Sequence, residues 1–223
     1  MAPTAEEKIN PSSQHEHKKE YFIPAETPGG TLGFRIVKRL FDFTAAAVGL
    51  LVAAIPMAVV AVMIRLDSPG PAIYKQERLG KGGKPFNMYK FRSMRQDAEE
   101  NGAQWAEEDD PRVTRIGKII RKTRLDELPQ LVNILAGHMS VVGPRPERGI
   151  FYKEFETYVH GFSNRLAVTP GLTGLAQVNG GYDLKPEEKV IYDMEYIKNR
   201  SLLLDLKCIL QTVGIVFSHD GAR

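Results

Sequence analysis

Thr44-Ala45-Ala46-Ala47-Val48-Gly49-Leu50-Leu51-Val52-Ala53-Ala54-Ile55-Pro56-Met57-Ala58-Val59-Val60-Ala61-Val62-Met63-Ile64 carries no charged side chain. As a helix rising about 1.5 Å per residue, this stretch is long enough to cover the ~30 Å hydrocarbon core of a bilayer. Two features complicate a simple span. Pro56 lies near the middle, where it removes a helix bond and bends the axis. The flanks are basic on both sides, with Arg35, Lys38 and Arg39 before, and Arg65, Lys75, Arg78 and Lys81 after. A spanning helix biases Lys and Arg toward its cytoplasmic end, so a symmetric distribution fits a segment whose two ends stay on one face. The residues leave two readings open: a transmembrane helix, or a re-entrant helix-break-helix kinked at Pro56 whose freed backbone groups find other partners.

Outward from this segment the chain divides into three parts. Residues 1–33 are polar and rich in Pro, Gly, Ser and His, too poor in apolar surface to offset the entropy of ordering, and read as a disordered tail without the apolar core of a signal peptide. His15 and His17 could pair on a metal, though a solvated tail accounts for them. Residues 34–66 hold the membrane segment, and residues 67–223 a globular domain that opens on the breaker Asp67-Ser68-Pro69-Gly70-Pro71. Ala72–Gln76 and Phe86–Phe91 read as strands joined by the glycine-rich turn Gly80–Lys84, a small β-hairpin. Helices are expected over Met94–Ala106, Val113–Thr123, Glu147–Val159, Glu187–Lys198 and Leu202–Phe217. Glu107–Pro111 reads as an acidic loop and Val168–Gly174 as a tight loop. The fold class is α+β, mostly helical, with amphipathic helices suited to a membrane interface.

With 223 residues and 43 % hydrophobic content the chain can bury a core, and a net charge of +3 gives no case for nucleic acid as a partner. The single cysteine, Cys208, excludes an internal disulfide and a cysteine metal cluster.

Chemistry concentrates in Thr123-Arg124-Leu125-Asp126-Glu127-Leu128-Pro129-Gln130. Pro129 suits the first turn of a helix ending at Gly137, so the adjacent carboxylates mark a helix start, where free N–H groups and the dipole favour phosphate. With Arg121, Lys122 and Arg124 upstream, Asp126 and Glu127 can hold a divalent metal and supply a nucleophile; a plain N-cap at Asp126 accounts for the same spacing. Arg145 sits between Pro144 and Pro146 on a stiff loop suited to a two-pronged phosphate contact. Gln177 and Asn179 lie on a stretch reaching Gly180-Gly181, where a backbone can approach a ligand closely; its spacing matches neither a Walker loop nor a dinucleotide fingerprint. Asp205 inside Leu202–Leu206 is costly unless it is paired or exposed.

Taken together, Lys38-Arg39-Leu40-Phe41-Asp42, Gln76–Gly80, Lys84-Pro85-Phe86, Lys90-Phe91-Arg92-Ser93-Met94, Leu125–Gln130, Met139–Pro146, Pro170–Gly180 and Ser201–Lys207, in that order, resemble the bacterial sugar transferases, the monotopic polyprenyl-phosphate phosphoglycosyl transferases. The resemblance runs from about Arg35 to about Phe217 and implies a minimal catalytic form on the cytoplasmic face of the bacterial inner membrane, with the re-entrant topology. It implies transfer of a sugar 1-phosphate from a UDP-sugar to undecaprenyl phosphate with release of UMP, as the first membrane step of a glycan later extended by downstream glycosyltransferases. It further implies Asp126 as nucleophile, Glu127 as its partner at Mg²⁺ (Mn²⁺ as substitute), and phosphate-binding roles for Arg121 and Arg145; Lys90, Arg92 and Asp205 fall in matching segments and are expected nearby. Relatives often carry serine before the kink proline and arginines near the later motifs where this chain has Ile55, Thr169 and Gly181, so sugar and nucleotide preference stay open. So does the oligomeric state, a homodimer among the options. A catalytically silent membrane scaffold and a polyprenyl diphosphate phosphohydrolase are the competing readings.

Overall fold

The computed structural model describes residues 20–100, 110–180 and 184–218. The apolar segment forms the middle of one long helix, α1 (Leu32–Asp67), capped by the Thr31 side chain, which accepts from the Phe34 N–H at 3.2 Å. The helix runs through Pro56 without interruption, so the expected helix-break-helix is replaced by a continuous helix. A proline costs a helix its own donor bond and some axial straightness, and the long apolar flanks on either side keep the remaining ladder intact. This is the one helix among the described residues long and apolar enough to cross a membrane.

A hairpin follows, β2 (Ile73–Leu79) antiparallel to β3 (Pro85–Phe91), with Ile73 opposite Phe91 and Leu79 opposite Pro85. Its turn places Gly82 and Gly83 at φ 66° and 74°, a left-handed region where a Cβ is strained. Then come α2 (Arg115–Lys122), α3 (Gln130–Leu135), β4 (Ser140–Val142), α4 (Gly149–Glu156), β5 (Val159–His160), β6 (Gly171–Thr173), α5 (Leu175–Val178), α6 (Pro186–Asn199) and α7 (Leu202–Ser218). The mostly helical α+β class holds.

Several expectations are corrected. The segment Val168–Gly174 contains a strand, β6, paired in parallel with β4. Three residues give no readable alternation, and glycine disfavours strands, so only the tertiary partner reveals it. Gly171 and Gly143 stand backbone against backbone, with no room for a Cβ at either. Part of the segment expected as a disordered tail is ordered on the body. Tyr21–Phe22 form β1, parallel to β5, and the Gly29 N–H donates to the Ile197 carbonyl at 2.8 Å. A free strand edge on the body supplies the order that this segment's composition cannot. Residues 95–100 make turns closed by bonds such as Ala98 N–H to Arg95 carbonyl, not the first turns of a helix, while 101–109 lie outside the described residues, as do His15, His17 and most of the acidic loop. Asp110 is described and ion-paired to Arg112 at 2.6 Å, a fold contact rather than a metal ligand. α4 is shorter than the expected Glu147–Val159, ending before β5.

Three apolar clusters hold the body. The largest joins Tyr152, Phe155 and Phe162 to Val190, Tyr196 and Ile197, with the Cys208 thiol inside it. A second places Ala46 of α1 against Phe86, Met88, Ile134 and Met139, and a third places Val60 and Ile64 against Phe91 and Ile120. One body therefore grips α1 toward both ends. Polar contacts reinforce each grip. Arg39 donates to the Ile134 and Leu135 carbonyls at 2.7 Å each, closing off the end of α3. At the far end Asp67 accepts from the Ile116 N–H at 3.1 Å.

The most deeply buried of these contacts is a charge network. Lys38 Nζ lies 2.7 Å from Asp205 Oδ2 and 3.8 Å from Asp42, and the Tyr196 hydroxyl lies 2.8 Å from Asp205 Oδ1. Asp42 in turn accepts from Ser140 Oγ at 2.8 Å and the Val141 N–H at 3.0 Å, which ties α1 to β4. Removing one member of a buried pair strands the other's charge, so Lys38→Met should cost about 3–5 kcal/mol. Thermal denaturation in detergent is expected to show a Tm drop on the order of 10 °C, largely restored in Lys38→Met/Asp205→Leu; an unchanged Tm in the single variant would contradict this.

Candidate active site

The dyad is presented by a break between two helices. α2 begins at the Thr114 cap, whose Oγ1 accepts from the Gly117 N–H at 3.0 Å, and its Gly117 packs directly on the Ser93 carbonyl. After Thr123 the chain turns through Arg124 at φ 57°, the only non-glycine residue with positive φ among those described. Strain of this kind costs on the order of 1 kcal/mol and is held by its surroundings. Leu125–Glu127 then form a single 3₁₀ turn before α3. The expected helix start at Asp126 is thus two helices separated by a 3₁₀ turn, with Pro129 at the cap position of α3. Neither helical element receives a side-chain cap, so the capping role for Asp126 falls away.

Asp126 and Glu127 open onto a cavity of about 810 Å³. Asp126 is buried at 8 % exposure, and no hydrogen bond or ion pair among the described residues holds its carboxylate. Glu127 is held firmly. Arg145 presents both terminal nitrogens to its carboxylate, Nη2 to Oε1 and Nη1 to Oε2, the latter at 3.4 Å, and Lys90 Nζ lies 3.5 Å from Oε1. The two neighbours therefore titrate apart. Burial and then the Glu127 charge raise Asp126 to about 6, although Lys90, Arg145 and Arg121 pull it back. Burial also pushes Glu127 upward, but Arg145 and Lys90 outweigh it and hold that carboxyl at about 2. Two carboxyls forced apart by their surroundings take different roles: one permanently charged anchor, and one carboxylate more basic than usual with its lone pairs free.

The cavity wall carries more cations than acids. Lys90, Arg121, Arg124, Arg145 and Lys189 line it, together with Arg78 and Arg148. Arg121 Nε donates to Ser93 Oγ at 2.9 Å, which fixes its stem. Such a ring suits a polyanion such as a diphosphate. Glu147 is a further carboxylate on this wall, paired with Arg78 at 3.0 Å and Lys189 at 3.4 Å; these cations overcome the effect of burial and hold it at about 2. This triad is not legible in the sequence, since its members are spread from β2 to α6 and look individually like surface charges.

Other expected site residues divide. Lys90, Arg121, Arg145 and Gln177 all line the cavity, and both amide atoms of Gln177 are shielded from solvent without a hydrogen-bond partner among the described residues. Arg92 also borders it, yet its fork is spent on the loop after α1: Nη1 donates to the Pro69 carbonyl at 2.7 Å and Nη2 to Ser68 at 2.8 Å. It acts as a strap behind the wall. Asn179 donates to the Leu175 carbonyl at 2.7 Å, finishing α5, and does not line the cavity. Asp205 belongs to the Lys38 network and does not reach the cavity either. Its burial among apolar leucines demanded a partner, and the partner is a lysine on the membrane helix.

Behind Arg145 lies a support that sequence reasoning missed. Arg165, 1 % exposed, donates from Nη2 to the Arg145 carbonyl at 2.9 Å while the same nitrogen sits 2.6 Å from Asp193. Its guanidinium also stacks over Phe162 at 4.8 Å. The rigid placement expected from flanking prolines is thus completed by a buried ion pair.

Comparison with known proteins agrees with this geometry. The bacterial sugar transferase family model matches residues 33–219. The chain is 41 % identical over 212 residues to the UDP-N-acetylgalactosamine-undecaprenyl-phosphate N-acetylgalactosaminephosphotransferase of Aeromonas hydrophila, covering 94 % of this chain and 49 % of that protein. It is 40 % identical over 193 residues to the UDP-glucose:undecaprenyl-phosphate glucose-1-phosphate transferase of Escherichia coli (strain K12), covering 84 % and 42 %. It is 43 % identical over 190 residues to the exopolysaccharide production protein PSS of Rhizobium leguminosarum bv. phaseoli, covering 80 % and 94 %. The chain therefore spans about half the length of the first two and nearly all of the third. A basic cavity around an unlike pair of carboxyls, on a body fixed to one long apolar helix, accompanies a family match over most of the sequence: the chain belongs to the bacterial sugar transferases.

Proposed function

We propose that this protein transfers a sugar 1-phosphate from a UDP-sugar to undecaprenyl phosphate, through a phosphosugar ester on Asp126. The observation that carries the reading is a buried Asp126 carboxylate, unpaired among the described residues, beside a Glu127 gripped by Arg145 and Lys90 in a cation-lined cavity. An Asp126 oxygen attacks the sugar-linked phosphorus; the bond from that phosphorus to the bridging oxygen breaks, and UMP leaves with the electron pair. An oxygen of the polyprenyl phosphate then attacks the same phosphorus, the Asp126 ester bond breaks, and the carboxylate is regenerated. Splitting one displacement in two is the benefit of a covalent nucleophile. Lys90, Arg121 and Arg145 would offset charge on the diphosphate as it reacts.

Two adjacent carboxylates facing phosphate oxygens form the hard donor set that suits Mg²⁺, which protein binds through one or two carboxylates and the substrate completes. Asp126 and Glu127 would hold it, and when bound it would neutralise developing charge on the leaving phosphate. No third metal-ligating side chain joins them among the described residues.

The hold of the body on α1 supports the membrane placement. The body holds it at Lys38, Asp42 and Ala46 and again at Val60 and Ile64, while Leu51, Val52 and Ile55 between are exposed. The free stretch is about 20 Å at helical rise, short of a hydrocarbon core. This supports the reading in which both ends of α1 stay with the body on one face of the membrane, the monotopic arrangement on the cytoplasmic side, where nucleotide sugars are made. Downstream glycosyltransferases would extend the product.

Assay of membrane fractions or detergent extracts with UDP-N-acetylgalactosamine, UDP-galactose or UDP-glucose, with and without undecaprenyl phosphate, tests the reading. Acceptor-dependent UMP release that EDTA abolishes and Mg²⁺ restores is expected. Below about pH 6 kcat/KM should fall tenfold per pH unit, because protonation removes the free-enzyme nucleophile. Release of inorganic phosphate, or turnover untouched by EDTA, would contradict it.

A further inference from the structure

The cavity has a second wall that the polar chemistry does not use. Ile209, Thr212, Val213 and Val216 of α7 line it, facing Leu128 and Leu172. At about 100° per residue these α7 positions fall in one sector of the helix. The one hydroxyl there is already spoken for: Thr212 Oγ1 lies 2.6 Å from Thr173 Oγ1 and donates to the Cys208 carbonyl at 2.7 Å. The sector presents only hydrocarbon. Next to it on the same helix runs a solvent-exposed apolar row, Leu203, Leu206 and Leu210, at 76 %, 51 % and 64 % exposure. The two sectors meet at Val213, which lines the cavity and is still 48 % exposed. A continuous apolar path therefore leads from the outer face of α7 into the chamber that holds Asp126.

We propose that this α7 wall is the subsite for the first isoprene units of the acceptor, guiding a prenyl chain from the lipid phase so that its phosphate meets the Lys90–Arg145 cluster. The inference rests on the transferase reading and adds where the acceptor runs. The two substrates differ in the chemistry each can use. A UDP-sugar is polar along its whole length and gains nothing from a hydrocarbon wall, whereas a polyprenyl phosphate has one anionic end and an apolar remainder. A cavity with cations on one side and a mostly aliphatic wall on the other, its Thr212 hydroxyl already engaged, matches the second molecule end to end. The path also opens on the exposed leucines of α7.

The test uses Val213→Trp, which fills the path while keeping it apolar, with Ile191→Trp, an exposed apolar position of α6 that does not line the cavity, as control. Acceptor KM is measured from UMP release with undecaprenyl phosphate and with a water-soluble phosphate of one or two isoprene units, and adduct formation is measured with the UDP-sugar alone. Val213→Trp is expected to raise the KM for the long acceptor at least tenfold, to change that for the short acceptor much less, and to retain adduct formation; Ile191→Trp should match wild type. An unchanged long-acceptor KM in Val213→Trp, or equal losses with both acceptors and in adduct formation, would overturn the assignment. Absence of an adduct in the wild type would count against the covalent mechanism instead, and the acceptor KM would still decide the path.

Discussion

Asp126→Asn should abolish turnover, with a loss of at least about 10⁴-fold in kcat, and at the same time make the protein more stable at neutral pH. Asparagine fills the same volume but has no free electron pair able to form the phosphosugar ester, so the effect falls on the chemical step. The stability gain comes from the same environment that tunes the nucleophile. A carboxyl raised from 3.8 to about 6 by the fold binds its proton more tightly in the native than in the unfolded state. The native state therefore loses stability as pH rises between those values, and above pH 6 the whole cost of keeping Asp126 charged is present. Replacing it with a neutral amide removes a cost on the order of 1–3 kcal/mol at pH 7.5. Thermal denaturation of both proteins at pH 7.5 and near pH 4 should show a higher Tm for Asp126→Asn at the first pH and near equality at the second. An inactive variant with an unaltered Tm at both would mean that Asp126 is not held at an elevated value.

Arg145→Met should cause the second large loss, about 10²–10³-fold in kcat/KM. Methionine keeps much of the stem but removes the planar fork that grips both Glu127 oxygens. Lys90, at 3.5 Å, is left as the remaining close cation on Glu127, whose titration should move up. A cation facing the diphosphate is lost in the same step. Arg145→Lys is expected to recover only a small part, because a single ammonium cannot span the carboxylate. Arg165→Lys addresses the support behind it; since the Arg165 side chain reaches the site through the Arg145 carbonyl, its effect should resemble a milder Arg145 variant and not a Lys90 one. Wild-type kcat/KM in Arg145→Met would remove this residue from the account.

The sequence made some of this legible and hid the rest for identifiable reasons. The hairpin was readable because Gly82 and Gly83 must take left-handed φ between two alternating runs. α6 and α7 fell within about two residues of expectation because each runs over several turns, and long elements are the most readily placed from sequence. β4 with β6 and β1 with β5 were invisible, since pairs of two or three residues draw their order from a distant partner. Asp126 and Glu127 stood out through their motif, but not their division of labour. That division depends on Lys90 from the hairpin and Arg145 from the loop after β4, which converge only in the fold. Asp205, Arg92 and Asn179 show the converse: a motif marks residues that occur together without saying which faces the cavity. Asp205 answers Lys38 across 167 positions, a pairing no local pattern encodes.

The most direct test of the central claim is peptide mass spectrometry on protein quenched after incubation with a UDP-sugar and Mg²⁺ in the absence of acceptor. The account predicts a mass increase of one phosphosugar on the peptide containing Asp126, lost when undecaprenyl phosphate is added before the quench. Accumulation of polyprenyl diphosphosugar with no ester on Asp126 at any time would contradict it.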